Sequence, residues 1–377
     1  MGETKDLQII LSEIYQHSYT PDHDARAIVF DIGEQAKCGD WNGCLLAVGT
    51  SDASISIFNP VALDDIYTLP TKFQKQYILA KTKIDLSSVF KSSVDFLQFT
   101  SRYLLAASVD SSKIILINHV SDQQSSNNMK LSDIKHQVFD LPPGFINSMD
   151  VNDDGVIAVA MDSKQVMIYN CNDIQPTPMS FRLTNIPTMV QFASFYNREY
   201  LLILEATNIV KILDWKSYEW LVSIYPTSYD SNNAKSEVSN IFTTTNELLI
   251  SGLNGWFKKY DLNEIIGGAG YTKPSSSGTL FGFLNPESSP TPVTISKSTN
   301  SFNNPQKKLA NITKQQISVY DFDRVLKTSA GGDNGVVDPK VIKVNLPSYE
   351  ICAGSISEDN VVAITSGTRL LLVSLNN

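Results

Sequence analysis

The sequence predicts an all-β protein built as a ring of seven small sheets, a seven-bladed β-propeller. Three observations predict it. The first is a five-residue motif, a short apolar strand closing on Asn, Asp or Ser. It recurs as Ile55-Ser-Ile-Phe-Asn59, Ile114-Ile-Leu-Ile-Asn118, Val166-Met-Ile-Tyr-Asn170, Val210-Lys-Ile-Leu-Asp214, Phe257-Lys-Lys-Tyr-Asp261, Ile317-Ser-Val-Tyr-Asp321 and Leu370-Leu-Leu-Val-Ser374. The second is spacing: the copies end about 44 to 60 residues apart, which is one four-stranded blade of roughly 40–45 residues plus a variable loop. The third is the run before the motif, such as Leu45-Leu-Ala-Val-Gly49, Tyr103-Leu-Leu-Ala-Ala107 or Tyr200-Leu-Leu-Ile-Leu204. Short continuous apolar runs between turn residues are strands buried on both faces, as in stacked blades.

Taken in order, the segment 7–15 (Leu-Gln-Ile-Ile-Leu-Ser-Glu-Ile-Tyr) is a strand candidate outside any blade. It is the expected fourth strand of the last blade, pairing first with last so that no sheet edge stays open. Blade one takes 26–30 as its inner strand and has its outer strand within 77–83. Blade two begins at 93–99. The stretch 121–130, rich in Ser, Asn and Gln, reads as a solvated loop, and 136–141 as the outer strand. Blade three is the clearest: 146–151, the Asn152-Asp-Asp-Gly155 turn, then 158–170. Blade four runs from 189 to Asp214 with 219–224 outside, and blade five from 238 to Asp261. Residues 267–306 form a Ser-, Pro-, Gly- and Asn-rich insertion, whose composition does not sustain continuous strands. Within or just after it, 292–296, 309–313 and 317–321 are the strands expected of blade six. Blade seven is 349–375. The whole of 1–377 is expected to be one domain.

These motifs resemble those of the WD40-repeat family. The Trp-Asp pair of that family is replaced by Phe58-Asn59, Tyr169-Asn170, Tyr260-Asp261 and Tyr320-Asp321. The turn Asp is kept as Asp52, Asp110 and Asp162, and the Gly-His dipeptide is absent. The resemblance implies a propeller whose blades depend more on packing than on the family's hydrogen-bonded brace. It also implies an interaction platform rather than an enzyme.

Composition limits the functions. Thirty basic residues against 39 acidic leave a net charge of −9, which argues against broad phosphate-backbone binding and against direct sequence-specific nucleic-acid recognition. The cysteines Cys38, Cys44, Cys171 and Cys352 lack zinc-ligand spacing. No secretory signal opens the chain and no apolar run reaches the ~18 residues of a membrane span. A soluble intracellular protein, nuclear or cytoplasmic, with no membrane insertion is therefore expected.

No catalytic constellation stands out, and no cofactor or metal site is expected. His17 and His23 lie six apart without a third ligand. Asn152-Asp-Asp-Gly155 starts like a calcium loop but lacks the Glu at its twelfth position. An enzyme using the central channel would need inward carboxylates on several inner strands, for which Asp95 and Asp150 are the candidates. Two aromatic or apolar patches are candidate interaction sites: Trp215, Tyr218 and Trp220 around the outer edge of blade four, for which the other reading is packing between adjacent blades, and Leu280, Phe281, Phe283 and Leu284 within the insertion, for which the other reading is a fold-back that caps a local patch. The expectation is a non-catalytic scaffold subunit, offering propeller surfaces to the other subunits of a stable assembly such as a nuclear-pore, chromatin or RNA-processing complex. The alternative is a peptide-recognition adaptor, such as a ubiquitin-ligase substrate receptor.

Overall fold

A computed structural model describes residues 26–42, 45–58, 82–109, 111–118, 128–173, 178–195, 198–226, 238–243, 247–252, 257–266, 308–312, 316–321, 340–343, 353–356 and 361–374. Strand β1 (Arg26–Asp31) leads into a first sheet of β2 (Ala36–Asn42), β3 (Leu45–Thr50), β4 (Ser54–Phe58) and β5 (Thr82–Asp85). The second sheet holds β6 (Phe96–Phe99), β7 (Tyr103–Ala107) and β8 (Lys113–Asn118). Strand β9 (Asn128–Lys130) and a 3-10 turn follow, and then β10 (His136–Asp140), the outer strand of that second sheet. The third sheet is β11 (Ile146–Val151), β12 (Val156–Met161), β13 (Gln165–Asn170) and β14 (Met179–Arg182). The fourth is β15 (Pro187–Phe195), β16 (Arg198–Glu205), β17 (Val210–Asp214) and β18 (Glu219–Ile224). Strands β19 (Val238–Thr243), β20 (Glu247–Gly252) and β21 (Phe257–Asp261) form the fifth, followed by the short helix α1 (Leu262–Ile266). Strands β22 (Lys308–Ile312), β23 (Gln316–Asp321) and β24 (Lys340–Lys343) form the sixth. The seventh holds β25 (Ala353–Ile356), β26 (Val361–Ser366) and β27 (Arg369–Ser374).

Two pairings depart from the sequence reading. Arg26–Asp31 is not the inner strand of the first sheet. It pairs antiparallel with β27, from Arg26 opposite Ser374 to Asp31 opposite Arg369, and the inner strand is Ala36–Asn42. Local apolar pattern is the same for either role, so only the long-range pairing separates them. The segment 7–15 lies outside the described residues. Second, the end of the 121–130 stretch is a strand rather than a loop: β9 adds to the edge of β5 in parallel, Ile84 opposite Met129. Met129 is buried in the core between the first two sheets together with Leu131. A single apolar residue among polar neighbours leaves no periodic signal.

The core lies between sheets, which explains the continuous apolar runs. In β12 every residue is buried. Ile157, Val159 and Met161 pack toward the second sheet, and Val156, Ala158 and Ala160 toward the fourth. Fully burying such a side chain contributes about 1.5–3 kcal/mol. Comparable clusters join the seventh sheet to the first, the first to the second and the fourth to the fifth. Inner strands neighbour one another in the order β25, β2, β6, β11, β15.

The sheets are also alike in a detail invisible in the letters. Four inner strands carry a register shift at the same place, between Ala36 and Cys38, Ile146 and Ser148, Pro187 and Met189, and Val238 and Asn240. An extra residue there bends the strand and increases its twist. The position held by Trp in the resembling family is Tyr169 in β13. Its hydroxyl donates to the Asp140 carbonyl of the neighbouring sheet at 2.9 Å, and burial pushes its pKa up to about 12.

Candidate interaction surface

Inner-strand carboxylates come first, because a channel-based activity would need them. Asp150 in β11 is buried, and its Oδ2 accepts the Phe192 backbone N–H of β15 at 2.7 Å while Oδ1 accepts Val151 N–H at 2.9 Å. Asp40 in β2 does the same one pair of sheets earlier, accepting Phe99 N–H of β6 at 2.8 Å. Each carboxylate ties one inner strand to the next. Asp95 precedes β6 and accepts Val109 N–H at 2.9 Å and the Ser93 hydroxyl at 2.7 Å. Asp40 escaped the sequence reading because that reading placed the inner strand of blade one at 26–30, whereas the strand is Ala36–Asn42. Among the described residues, no three His, Cys, Asp or Glu side chains gather where they could hold a metal ion, and no helix is long and apolar enough to cross a membrane.

The outer strands of the third and fourth sheets present a different surface. Trp215 follows β17 and is 8 % exposed; its ring meets Phe192 edge-on at 6.0 Å and Lys216 Nζ lies 5.2 Å from its centroid. It floors the seam. Tyr218 and Trp220, a few residues further on, are 58 % and 42 % exposed. Phe181 of β14 reaches across from the third sheet, stacking on Tyr218 at 6.2 Å and meeting Trp220 edge-on at 6.1 Å. Sequence reading missed Phe181, whose only signal is its alternation with Met179 in a four-residue strand; both pack against the seam core.

One ion pair lies in this seam. Lys211 Nζ lies 5.5 Å from the Trp220 ring centroid and 2.7 Å from Oε1 of Glu205. Glu205 is buried, and Asn185 donates to its other oxygen at 2.8 Å. The turn before β18 is unusual. Asp214 accepts the N–H groups of Lys216 and Ser217, both at 3.1 Å, and the chain then passes through Tyr218 at φ +62°. That left-handed conformation suits Gly or Asn and is an outlier for a bulky residue.

Other exposed apolar residues stand apart. Phe145, 56 % exposed, is held on both backbone groups by Asp162: its N–H donates to Oδ1 at 2.9 Å and its carbonyl accepts Asp162 N–H at 3.0 Å. Gly144 before it has φ +143°, and a Cβ there would sit 2.7 Å from the same carboxylate. The apolar set Leu280, Phe281, Phe283 and Leu284 lies outside the described residues.

No family model matches the sequence, and no curated protein matches it either. Among solved structures, the chain is similar to Raptor from Chaetomium thermophilum in a crystal structure. The TM-score is 0.58 at 12 % identity, over 93 % of this chain and 29 % of that one. The chain thus spans less than a third of that protein. Identity this low speaks to fold alone, and with the many small antiparallel sheets it makes the fold propeller-like.

Proposed function

We propose that this chain is a closed seven-bladed propeller of the WD40 type acting as a non-catalytic scaffold subunit of a stable multiprotein complex in the nucleus or cytoplasm. The observation that carries the reading is the aromatic rim: Phe181, Tyr218 and Trp220 bridge two neighbouring outer strands, two of them substantially exposed. Exposed Trp and Tyr grouped over a packed seam are the residue types that dominate protein–protein contacts. Two features support it. The pairing of β1 with β27 favours ring closure, and the inner-strand carboxylates Asp40 and Asp150 are committed to joining sheets.

The test is purification of the tagged chain from its native cell at moderate salt, followed by mass spectrometry and size-exclusion chromatography. A stoichiometric, salt-resistant set of subunits is the expected result. A monomer with weak, variable companions would sink the scaffold reading.

A further inference from the structure

We propose that the outer edge of β14 is a docking edge for an extended segment of a partner protein. The segment adds to the third sheet as a further strand, with apolar residues on one face and an acidic residue on the other. This rests on the scaffold reading in taking the occupant from a partner, and it names what that partner presents.

A strand at the edge of a sheet turns alternate N–H and C=O groups outward, where another chain can pair with them. The outer edges of the first four sheets differ in what meets them. The edge of β5 is covered by β9, which adds to it in parallel. The edge of β10 is tied to the third sheet at two points: the Tyr169 hydroxyl donates to its Asp140 carbonyl at 2.9 Å, and its Gln137 side chain donates to the Cys171 carbonyl at 3.0 Å. The edge of β18 is interrupted, since Leu213 pairs with Trp220 while Ile212 pairs with Val222, and such a bulge discourages further pairing. The edge of β14 is regular. It pairs with β13 from Gln165 opposite Arg182 to Ile168 opposite Met179 without a register shift. Among the described residues the fourth sheet meets it through the Phe181 ring, and no hydrogen bond from that sheet reaches its backbone.

The pleat then fixes what the occupant carries. Met179 and Phe181 pack against the seam with the fourth sheet, whereas Ser180 and Arg182 are exposed. An added strand continues both faces, because residues opposite one another on neighbouring strands stand ~5 Å apart on the same face. On the Phe181 face it comes beside Tyr218 and Trp220, both substantially exposed, so its residues there are aromatic or β-branched. Charge gives no preference on that side, where Lys216 and Glu219 are exposed together. On the other face it meets Arg182. Exposed Lys164 is close by, because its carbonyl accepts the Leu183 N–H at 2.8 Å. The ion pairs of the described residues engage Lys83 and Lys211 and neither of these two cations. Two uncompensated cations at one end of an edge, on a chain of net charge −9, select an acidic residue there. A second copy of the chain would bring the same cations to the junction, so the charge favours a different protein.

The experiment pans a phage-displayed library of random short peptides against the full chain, then measures the best synthetic peptide by fluorescence anisotropy and hydrogen exchange. Enriched peptides should alternate apolar and polar residues and carry Asp or Glu. The bound peptide should slow amide exchange across 179–183. A strand added to an edge donates through one set of alternate N–H groups. N-methylating that set should weaken binding at least about tenfold, and N-methylating the other set far less. Arg182→Glu should weaken binding at least about threefold, and the difference should shrink as salt rises from about 50 to about 500 mM. Arg182 is exposed, so the variant should keep the wild-type melting temperature. Lys113→Glu, a charge reversal at an exposed residue of the second sheet, should bind as wild type. Enrichment of basic or non-alternating peptides, protection confined to another segment, equal effects of the two methylation patterns, unchanged binding in Arg182→Glu, or no enrichment overturns the proposal. So does a homodimer that Arg182→Glu dissociates, which would make the occupant a second copy. If the edge fails these tests while the subunits still co-purify with the Arg182→Glu chain, the scaffold reading stands on another surface.

Discussion

The third and fourth sheets meet twice, once through β11 and β15 and once through β14 and β18, and the two ends of that seam follow opposite rules. At the inner end a buried carboxylate, Asp150, reaches from β11 to the backbone of β15. At the outer end Phe181, Tyr218 and Trp220 meet ring to ring with two of them facing water. Between them the seam is apolar, from Val156 and Ala158 to Leu201 and Ile203. Where water is excluded, a polar group persists only if each of its bonds is made. Where water is present, apolar side chains are tolerated, and grouped aromatic ones are the types enriched at contact surfaces. The inner end therefore specifies the assembly of the blades, and the outer end is free to specify a partner.

The largest expected effect tests the point where these rules meet. Lys211 spans them, with its ammonium 2.7 Å from buried Glu205 and 5.5 Å from the centroid of the Trp220 ring. Lys211→Met should cost about 3 kcal/mol or more, because it strands a buried carboxylate. Adding Glu205→Leu should recover much of that loss, since an apolar pair of similar volume replaces a buried ion pair with little penalty. Urea denaturation of the single and double variants measures both. Equal costs for the two would mean that Lys211 acts through packing alone.

Next in size is the inner staple. Asp150→Ala leaves the Phe192 and Val151 N–H groups without their carboxylate and should cost about 2–3 kcal/mol. Asp150→Asn, which keeps an acceptor, should cost about 1 kcal/mol. A cost near zero for the alanine variant would show that the seam holds without its polar tie.

What could be read beforehand follows the same division. The seven terminal motifs coincide with β4, β8, β13, β17, β21, β23 and β27, because a strand packed on both faces needs an unbroken apolar run that leaves a signature in every copy. Pairing between distant segments leaves none. Arg26–Asp31 looks like any inner strand, and its partner β27 lies at the other end of the sequence. The rim was half legible: Tyr218 and Trp220 stood out as aromatic residues in an outer strand. Phe181 did not, because its role depends on a neighbouring sheet, whereas Trp215, packed on Phe192, follows the inter-blade packing that was the other reading of the patch.

A smaller effect separates two carboxylates by pH. Glu199, near the start of β16, receives a hydrogen bond from Asn152 at 2.5 Å, yet burial outweighs it and raises its pKa above the ordinary 4.5. The folded protein then holds a proton that the unfolded chain has released. Stability is highest below the ordinary value and falls as pH rises through the window above it. Asp52 runs the other way. Burial pushes it up, but hydrogen bonds from Lys83, Thr50 and Ser54 outweigh burial and hold it at about 2 against 3.8. Its contribution is present above 3.8 and is lost as pH falls toward 2. Denaturation midpoints across pH should therefore lose their downward slope above about pH 4.5 in Glu199→Gln. Asp52→Asn should lose the steepness below about pH 4. Unchanged slopes in either variant would remove that group from the account.

The smallest expected change in stability carries the most information about the rim. Tyr218→Asn removes one stacked ring, worth about 0.5–1.5 kcal/mol. It also relieves a left-handed backbone costing roughly 1–2 kcal/mol in a residue of this bulk. The two nearly cancel, so the melting temperature should stay within a degree or two of wild type (about 1 kcal/mol shifts the midpoint of a 150–250-residue domain by roughly 2–4 °C, and a longer chain by less). Asp150→Ala should lower it several times further. If Tyr218→Asn instead destabilises as much as the inner staple, the ring is part of the core and the contrast between the two ends of the seam collapses. If the protein is unchanged or slightly more stable, Tyr218 is held in its conformation by something other than folding, which is what a binding surface requires.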